Sequence, residues 1–170
     1  MRARGTSLGT IGCLAIFIAT MPSGVTESVA ELQARFDRES NAVRKAKLLE
    51  KLGDAQFEVA RTAGKAGDHN TVGATLEKYR DNARAAFETL RKQNPNFEKH
   101  SNGYRRLEMH VERGIRELAD SLLAAPEVYK PPLEIVRQDL IAMDKELLEM
   151  LFPHRPSDQH ATSPPAEKKP

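Results

Sequence analysis

A regular helical period from Ala42 to Arg91 is the feature that most constrains this chain. Mostly apolar residues recur there every three or four positions, which places them on one face of a helix. The first row is Val43, Ala46, Leu49, Leu52, Gln56, Ala60 and Ala63, and the second is Val72, Leu76, Tyr79, Ala83, Ala86 and Leu90. Ala66-Gly67-Asp68 separates the two rows, and so short a connection predicts two antiparallel helices.

The ends of these two helices carry recognisable signals. Gly64 and Gly67 are expected to end the first helix, since glycine is favoured just beyond a helix C-terminus. Asp68 or Asn70 then caps the second helix. The start of the first helix has two interpretations: one helix runs from about Ser28, or a new helix begins near Ser40-Asn41. Gly53, inside the first helix, predicts a close approach of a neighbouring helix.

Two further apolar rows follow after Asn94-Pro95. The pattern predicts a short helix through Phe97, interrupted or ended at Ser101-Asn102-Gly103. The next row is Tyr104, Leu107, Val111, Ile115 (or Gly114), Leu118, Leu122 and Ala125, and the last is Leu133, Val136, Leu140, Met143, Leu147 and Met150. Pro126 and Pro131-Pro132 separate these two rows, and Pro153 ends the second.

The four rows predict an all-α fold in which antiparallel helical hairpins form a four-segment bundle. An extended pair of hairpins that dimerises is the alternative, because the Leu and Ala faces are narrow and only 5% of the residues are aromatic. No alternating run of β-branched residues competes with the helical period. The helical domain is predicted to cover residues 31–152, and the Pro-, Ser- and charge-rich segment 153–170 to be a disordered tail.

The N-terminal segment has the pattern of a signal peptide. Two arginines precede residues 5–26, which carry no charge, and Pro22-Ser23-Gly24 closes the apolar part. Ser28-Val29-Ala30 has small residues where signal peptidase requires them, so residues 1–30 are predicted to be removed. An uncleaved membrane anchor is the alternative. The expected location is therefore periplasmic or secreted, and a mature chain without Cys13, the single cysteine, has no disulfide or thiol chemistry.

The spacing of polar residues predicts no catalytic, cofactor-binding or metal site. His110 lies between Glu108 and Glu112 and is interpreted as a solvated histidine on a charged face. Asp68-His69 is interpreted as a helix cap followed by an exposed histidine. Arg80-Asp81, with Arg84, is expected to form an ordinary surface ion pair. The other histidines, in a loop and the tail, are His100, His154 and His160.

Several segments resemble uncharacterised all-helical proteins that bacteria export. They are Ala42 to Gly53, Ala66-Gly67-Asp68, Leu76 to Arg80, Pro131 to Arg137 and Glu146 to Pro153. The resemblance covers most of the mature chain and implies no activity. The helix pair is also similar to a single tetratricopeptide-like hairpin, although Gln56 replaces the usual aromatic residue and an array requires at least three repeats.

These observations predict a non-enzymatic, exported helical protein that acts through protein–protein contact or self-association in the bacterial envelope. The net charge is +2, from 26 basic and 24 acidic residues, which gives no reason to expect a nucleic-acid partner. A membrane is expected to be a partner only if the N-terminal segment is not cleaved. The alternative function is a periplasmic helical bundle that binds a small ligand or a metal ion, for which Gln56 and Tyr79 are the polar residues in the rows.

Overall fold

The fold is all-helical, in a computed structural model that describes residues 27–96, 99 and 101–153. Five α-helices and one 3-10 helix make up the described chain, which contains no strand. They are α1 (Val29–Arg38), α2 (Ala42–Lys65), α3 (His69–Gln93), α4 (Ser101–Ala124), η1 (Glu127–Tyr129) and α5 (Lys130–Leu151). The predicted all-α class is confirmed, with one more helix than the four predicted segments.

The additional helix is α1. One helix does begin near Ser28 and another does begin near Ser40-Asn41, so each interpretation of the first helix is partly right. Ser28 caps α1 in a capping box, accepting from the Glu31 amide at 3.3 Å while the Ser28 amide donates to the Glu31 carboxylate at 2.8 Å. α1 ends at Arg38, and a new helix begins after Asn41, which caps α2 through the Arg44 amide at 3.0 Å.

Lys45 joins α2 to the end of α1. Lys45 lies outside the apolar row of α2, yet its side chain is buried. Its ammonium group donates to the carbonyl oxygens of Phe36 at 2.9 Å and Glu39 at 3.3 Å, and the Phe36 oxygen also accepts from the Glu39 amide at 3.3 Å. It also lies 4.4 Å from the centre of the Phe36 ring. This burial is possible because a long lysine can bury its stem and still find acceptors.

α2 and α3 form the predicted antiparallel hairpin. Gly67 has a φ of 76°, a left-handed conformation that favours glycine, and Asp68 caps α3 through the Thr71 amide at 3.1 Å. At the far end, Gln93 of α3 donates to the Ser40 carbonyl oxygen at 2.6 Å and accepts from the Ala42 amide at 3.1 Å. The end of α3 therefore lies beside the start of α2.

The prediction for the segment after α3 is wrong. Residues 94–96 are not helical, and Phe97 lies outside the described residues. Ser101, Asn102 and Gly103 form the first turn of α4 instead of interrupting a helix. Gly103 is accommodated there because it packs against Leu90, where a Cβ atom would lie 2.8 Å from Leu90 Cδ2.

Helices α2 to α5 run alternately up and down around one core. α2 packs against α3 and α4, and α5 packs against α4 and α3. Ion pairs between Glu50 and Arg106 and between Arg61 and Glu117 join α2 to α4, which run parallel. All six residues of the predicted α3 row are buried in the core. The arrangement is a four-helix bundle with α1 added against α2.

Residues 1–26 of the predicted signal segment and residues 154–170 of the predicted tail lie outside the described residues. The described structure does include Ser28, Val29 and Ala30, which cap and begin α1. None of the described helices is both long enough and apolar enough to cross a membrane.

Candidate functional site

A polar cluster lies where α2, α3 and α4 meet, and we call it the helix junction. Its residues are the buried His110 and Tyr79, the exposed Asp54 at their edge, and the two glycines Gly53 and Gly114. His110 of α4 is 6% exposed, so its prediction as a solvated histidine is wrong. The Tyr79 hydroxyl of α3 lies 2.9 Å from His110 Nδ1, and His110 Nε2 lies 3.3 Å from Asp54 Oδ1 of α2. Two helices therefore contribute hydrogen-bonding groups to the imidazole ring that α4 carries.

Two glycines make room for these rings. A Cβ atom on Gly53 would overlap the His110 ring and lie 2.9 Å from Tyr79 Cε2. One on Gly114 would overlap the Tyr79 ring and lie 2.9 Å from its hydroxyl oxygen. The close approach that the sequence predicts at Gly53 is confirmed, and Gly114 makes a second one. These missing side chains let His110 lie inside the bundle.

Burial dominates the electrostatics of the helix junction. It lowers the pKa of His110 from its ordinary value of 6.5, and the neighbouring Asp54 carboxylate opposes this shift only in part. Burial also raises the pKa of the Tyr79 hydroxyl far above 10.0, so that the phenol stays protonated. Arg113 binds the Asp54 carboxylate at 2.7 Å at the rim of the junction. At neutral pH the junction holds a neutral imidazole and a neutral phenol.

The chemistry of the helix junction is limited to hydrogen bonding and proton uptake. A phenol with a raised pKa is a poor nucleophile, and the buried imidazole leaves little room for a substrate atom. Within the described ranges, no three His, Cys, Asp or Glu side chains lie close enough together to hold a metal ion. The cluster holds three helices in register and offers one titratable group to a proton.

A second polar cluster consists of three amides, Gln33, Gln56 and Asn82. Gln33 and Asn82 exchange two hydrogen bonds, of 3.0 and 2.9 Å, and Asn82 donates to Gln56 at 3.4 Å. Gln56, the predicted polar residue in the α2 row, is 2% exposed. Gln33 and Gln56 also line an open groove of about 510 Å³ between α1, α2 and α3.

We call Glu108, Glu112, Asp144 and Arg137 the α4–α5 seam. Two polar atoms there lack hydrogen-bond partners. Asp144 Oδ1 and Arg137 Nε are buried there without a hydrogen-bond partner among the described residues. Burial raises the pKa of Asp144, and the Glu112 carboxylate adds to the shift. Burial, Asp144 and Glu112 together raise the pKa of Glu108. Glu108 and Asp144 thus share this seam with Glu112, whose carboxylate is bound by Arg116.

Large apolar side chains are exposed at the end of the bundle where α4 passes through η1 into α5. Leu123, Val128 and Ile135 are 86%, 77% and 62% exposed. Beside them, a groove of about 580 Å³ between α4 and α5 is lined by Leu122, Leu123 and Pro131 among others. We call Leu123, Val128 and Ile135 the apolar end.

Other residues considered from the sequence have structural roles. Asp68 caps α3 as predicted, whereas His69 is half-buried beside Tyr129, with ring centres 5.1 Å apart. Arg80 pairs with Asp81 at 2.9 Å as predicted, and both Arg80 and Arg84 also reach Asp139 at 3.2 Å, which joins α3 to α5. His100, His154 and His160 lie outside the described residues.

Comparison of the chain with protein-family models, with curated proteins and with solved structures finds no match.

Proposed function

We propose that this chain is a non-enzymatic, exported helical protein that acts through protein–protein contact, including self-association, in the bacterial envelope. The observation that carries the proposal is the apolar end. Exposed apolar side chains are common one at a time, but a group of them beside an apolar groove is typical of a contact surface. Leu123 meets this description because it lines the groove, and the exposed Val128 and Ile135 follow it in η1 and α5.

The contact is tested by the mass of the mature protein in solution, measured by size-exclusion chromatography with light scattering. We expect an oligomer for the natural chain and a monomer for Leu123→Ser combined with Ile135→Ser. Met109→Ser is the matched control, because Met109 is 61% exposed on α4 but lies near the middle of that helix. A monomer at the highest soluble concentration, with no partner retained from an envelope extract, would contradict the proposal.

Export is supported by the basic start, the uncharged apolar run and the small residues before the helical domain. Cell fractionation followed by N-terminal sequencing tests it. Cleavage after Ala30 would remove Ser28 and with it the capping box of α1, so the sequencing result also decides whether the mature chain retains that cap. An intact N-terminus in the cytoplasmic fraction would overturn this part of the proposal.

A ligand-binding bundle is the second candidate function, and the groove beside Gln33 and Gln56 favours it. The groove combines apolar walls with a buried amide, the combination that small-molecule sites use. Native mass spectrometry of protein purified without a tag tests this function. A bound small molecule that is lost in Ala74→Trp, which fills the groove wall, would favour it over the contact function.

A further inference from the structure

The positions of the hydrogen atoms in the helix junction follow from its acceptors. His110 Nε2 lies 3.2 Å from the Glu50 carbonyl oxygen and 3.3 Å from Asp54 Oδ1. A carbonyl and a carboxylate can only accept, so Nε2 carries the hydrogen of the neutral ring. Nδ1 then has a lone pair, and the Tyr79 hydroxyl donates to it at 2.9 Å.

The Tyr79 hydroxyl has a second acceptor within reach. Its oxygen lies 2.8 Å from the backbone carbonyl oxygen of His110. If a proton adds to Nδ1, the hydroxyl hydrogen can turn to this carbonyl, and the phenol oxygen can accept from Nδ1–H. The neutral and charged rings are thus both fully hydrogen-bonded, and neither state needs a water molecule or a shift of a helix.

Each helix at the junction contributes to the electrostatic balance. From α2, the Asp54 carboxylate favours the charged ring, while the Glu50 carboxylate is bound by Arg106 at 3.0 Å. From α3, Tyr79 is the titratable group that faces His110, and it remains neutral. From α4, Arg113 opposes the charged ring but is itself bound to Asp54. The Asp54 carboxylate is therefore positioned to balance a positive charge on the His110 imidazole.

We propose that His110 and Tyr79 form a proton-binding site inside the bundle, in which the Tyr79 hydroxyl changes its acceptor when His110 takes up a proton. Tyr79 is a positioning residue: it allows a buried imidazole to gain a charge without losing a hydrogen bond. The site lets the α2–α3–α4 junction take up a proton in acid while the bundle stays folded. This goes beyond the proposed contact function and does not depend on it.

The test is an NMR titration of the histidine ring nitrogens in the mature protein. We expect the neutral His110 ring to carry its hydrogen on Nε2 and to be protonated at Nδ1 in acid while the protein remains folded. In Tyr79→Phe, Nδ1–H has no acceptor, so proton affinity should fall at least about tenfold. Tyr104→Phe is the matched control, because Tyr104 is also buried and its hydroxyl donates to the Asn94 carbonyl oxygen at 2.9 Å, away from His110.

Three results would overturn the proposal. One is a neutral natural ring with its hydrogen on Nδ1. Another is global unfolding of the natural protein in step with His110 protonation. The third is equal His110 proton affinity in Tyr79→Phe and Tyr104→Phe. The first two need only the natural protein, so they decide the question even if Tyr79→Phe does not fold.

Discussion

The helix junction and the α4–α5 seam bury polar side chains in opposite ways. At the helix junction, the imidazole of His110 finds partners on α2 and α3, and two glycines make the space. In the α4–α5 seam, Asp144 Oδ1 and Arg137 Nε are buried without a partner among the described residues. An unpaired buried polar atom costs free energy, whereas a paired one is nearly neutral. The helix junction therefore fixes how its helices pack, whereas the α4–α5 seam keeps two unpaired polar atoms at a cost in stability.

The position of the seam beside the apolar end gives a reason why its unpaired polar atoms are retained. The apolar end lies where α4 and α5 connect, and the groove beside it is lined by Arg137 as well as by Leu122 and Leu123. A surface that makes contact with another protein is selected for that contact as well as for the stability of the isolated bundle. Substitutions in these regions test whether paired and unpaired buried polar groups differ in their contribution to stability, from the largest expected effect to the smallest.

The largest effect is expected for Gly114→Ala at the helix junction. The added methyl group would overlap the Tyr79 ring, which cannot move away because it is buried and its hydroxyl is held by His110. Overpacking of this kind costs about 1–3 kcal/mol, which the better helix propensity of alanine, about 1 kcal/mol, offsets only in part. The free energy of unfolding in urea measures it.

Gly73→Ala is the matched control for this substitution. Gly73 also lies within a helix, but a Cβ atom there would meet no atom within 4 Å. Alanine should therefore stabilise α3 by about 0.5–1 kcal/mol. Equal stability of the two variants would show that the helix junction is loosely packed and would remove the contrast with the seam.

The sequence predicts the apolar rows of this bundle well and its buried polar residues poorly. The α3 row is buried as predicted because a period of three to four residues fixes a face whatever the partner is. His110 was missed because Glu108 and Glu112 surround it in sequence, although it lies on the same face as Leu107 and Gly114. The sequence signal for a buried His110 is the pair Gly53 and Gly114. Glycines inside helices leave space that the large side chain of a neighbouring helix can fill.

The remaining errors have a similar cause. Ser101, Asn102 and Gly103 are poor helix residues taken alone, yet packing of Gly103 against Leu90 stabilises the first turn of α4. The buried Lys45 depends on carbonyl groups at the end of a separate helix. Tertiary contacts that join distant segments decide these positions, and local spacing carries no information about them.

The next effect tests the amide cluster, which is a second well-satisfied region. Asn82→Ala removes both hydrogen bonds to Gln33 and the one to Gln56, whose side chain then lies buried with an unpaired oxygen. We expect a loss of about 1 kcal/mol in the free energy of unfolding, which is smaller than the net loss of up to about 2 kcal/mol at Gly114. Asn70→Ala, an exposed position on the same helix, should change it by less than about 0.5 kcal/mol. A cost at Asn82 no larger than at Asn70 would count against the importance of paired buried groups.

The smallest effect is expected in the seam, where Asp144→Asn should stabilise the protein at pH 7. The pKa of Asp144 is raised in the folded state by burial and by Glu112. A raised pKa means that the contribution of this carboxyl to stability is fully present below its unfolded pKa and is lost as the pH rises through the folded pKa. At neutral pH the natural protein therefore carries an unfavourable charge that asparagine lacks.

The gain should be below about 1 kcal/mol, because Asp144 is half-buried and solvent screens its interaction with Glu112. Thermal unfolding of both proteins between pH 3 and pH 7 measures it, and the difference should disappear at the acid end, where the natural carboxyl is protonated. Glu112→Gln should reduce the gain when combined with Asp144→Asn, because it removes part of the same repulsion. A gain that persists unchanged in acid would mean that the amide acts by pairing and that charge repulsion does not weaken the seam.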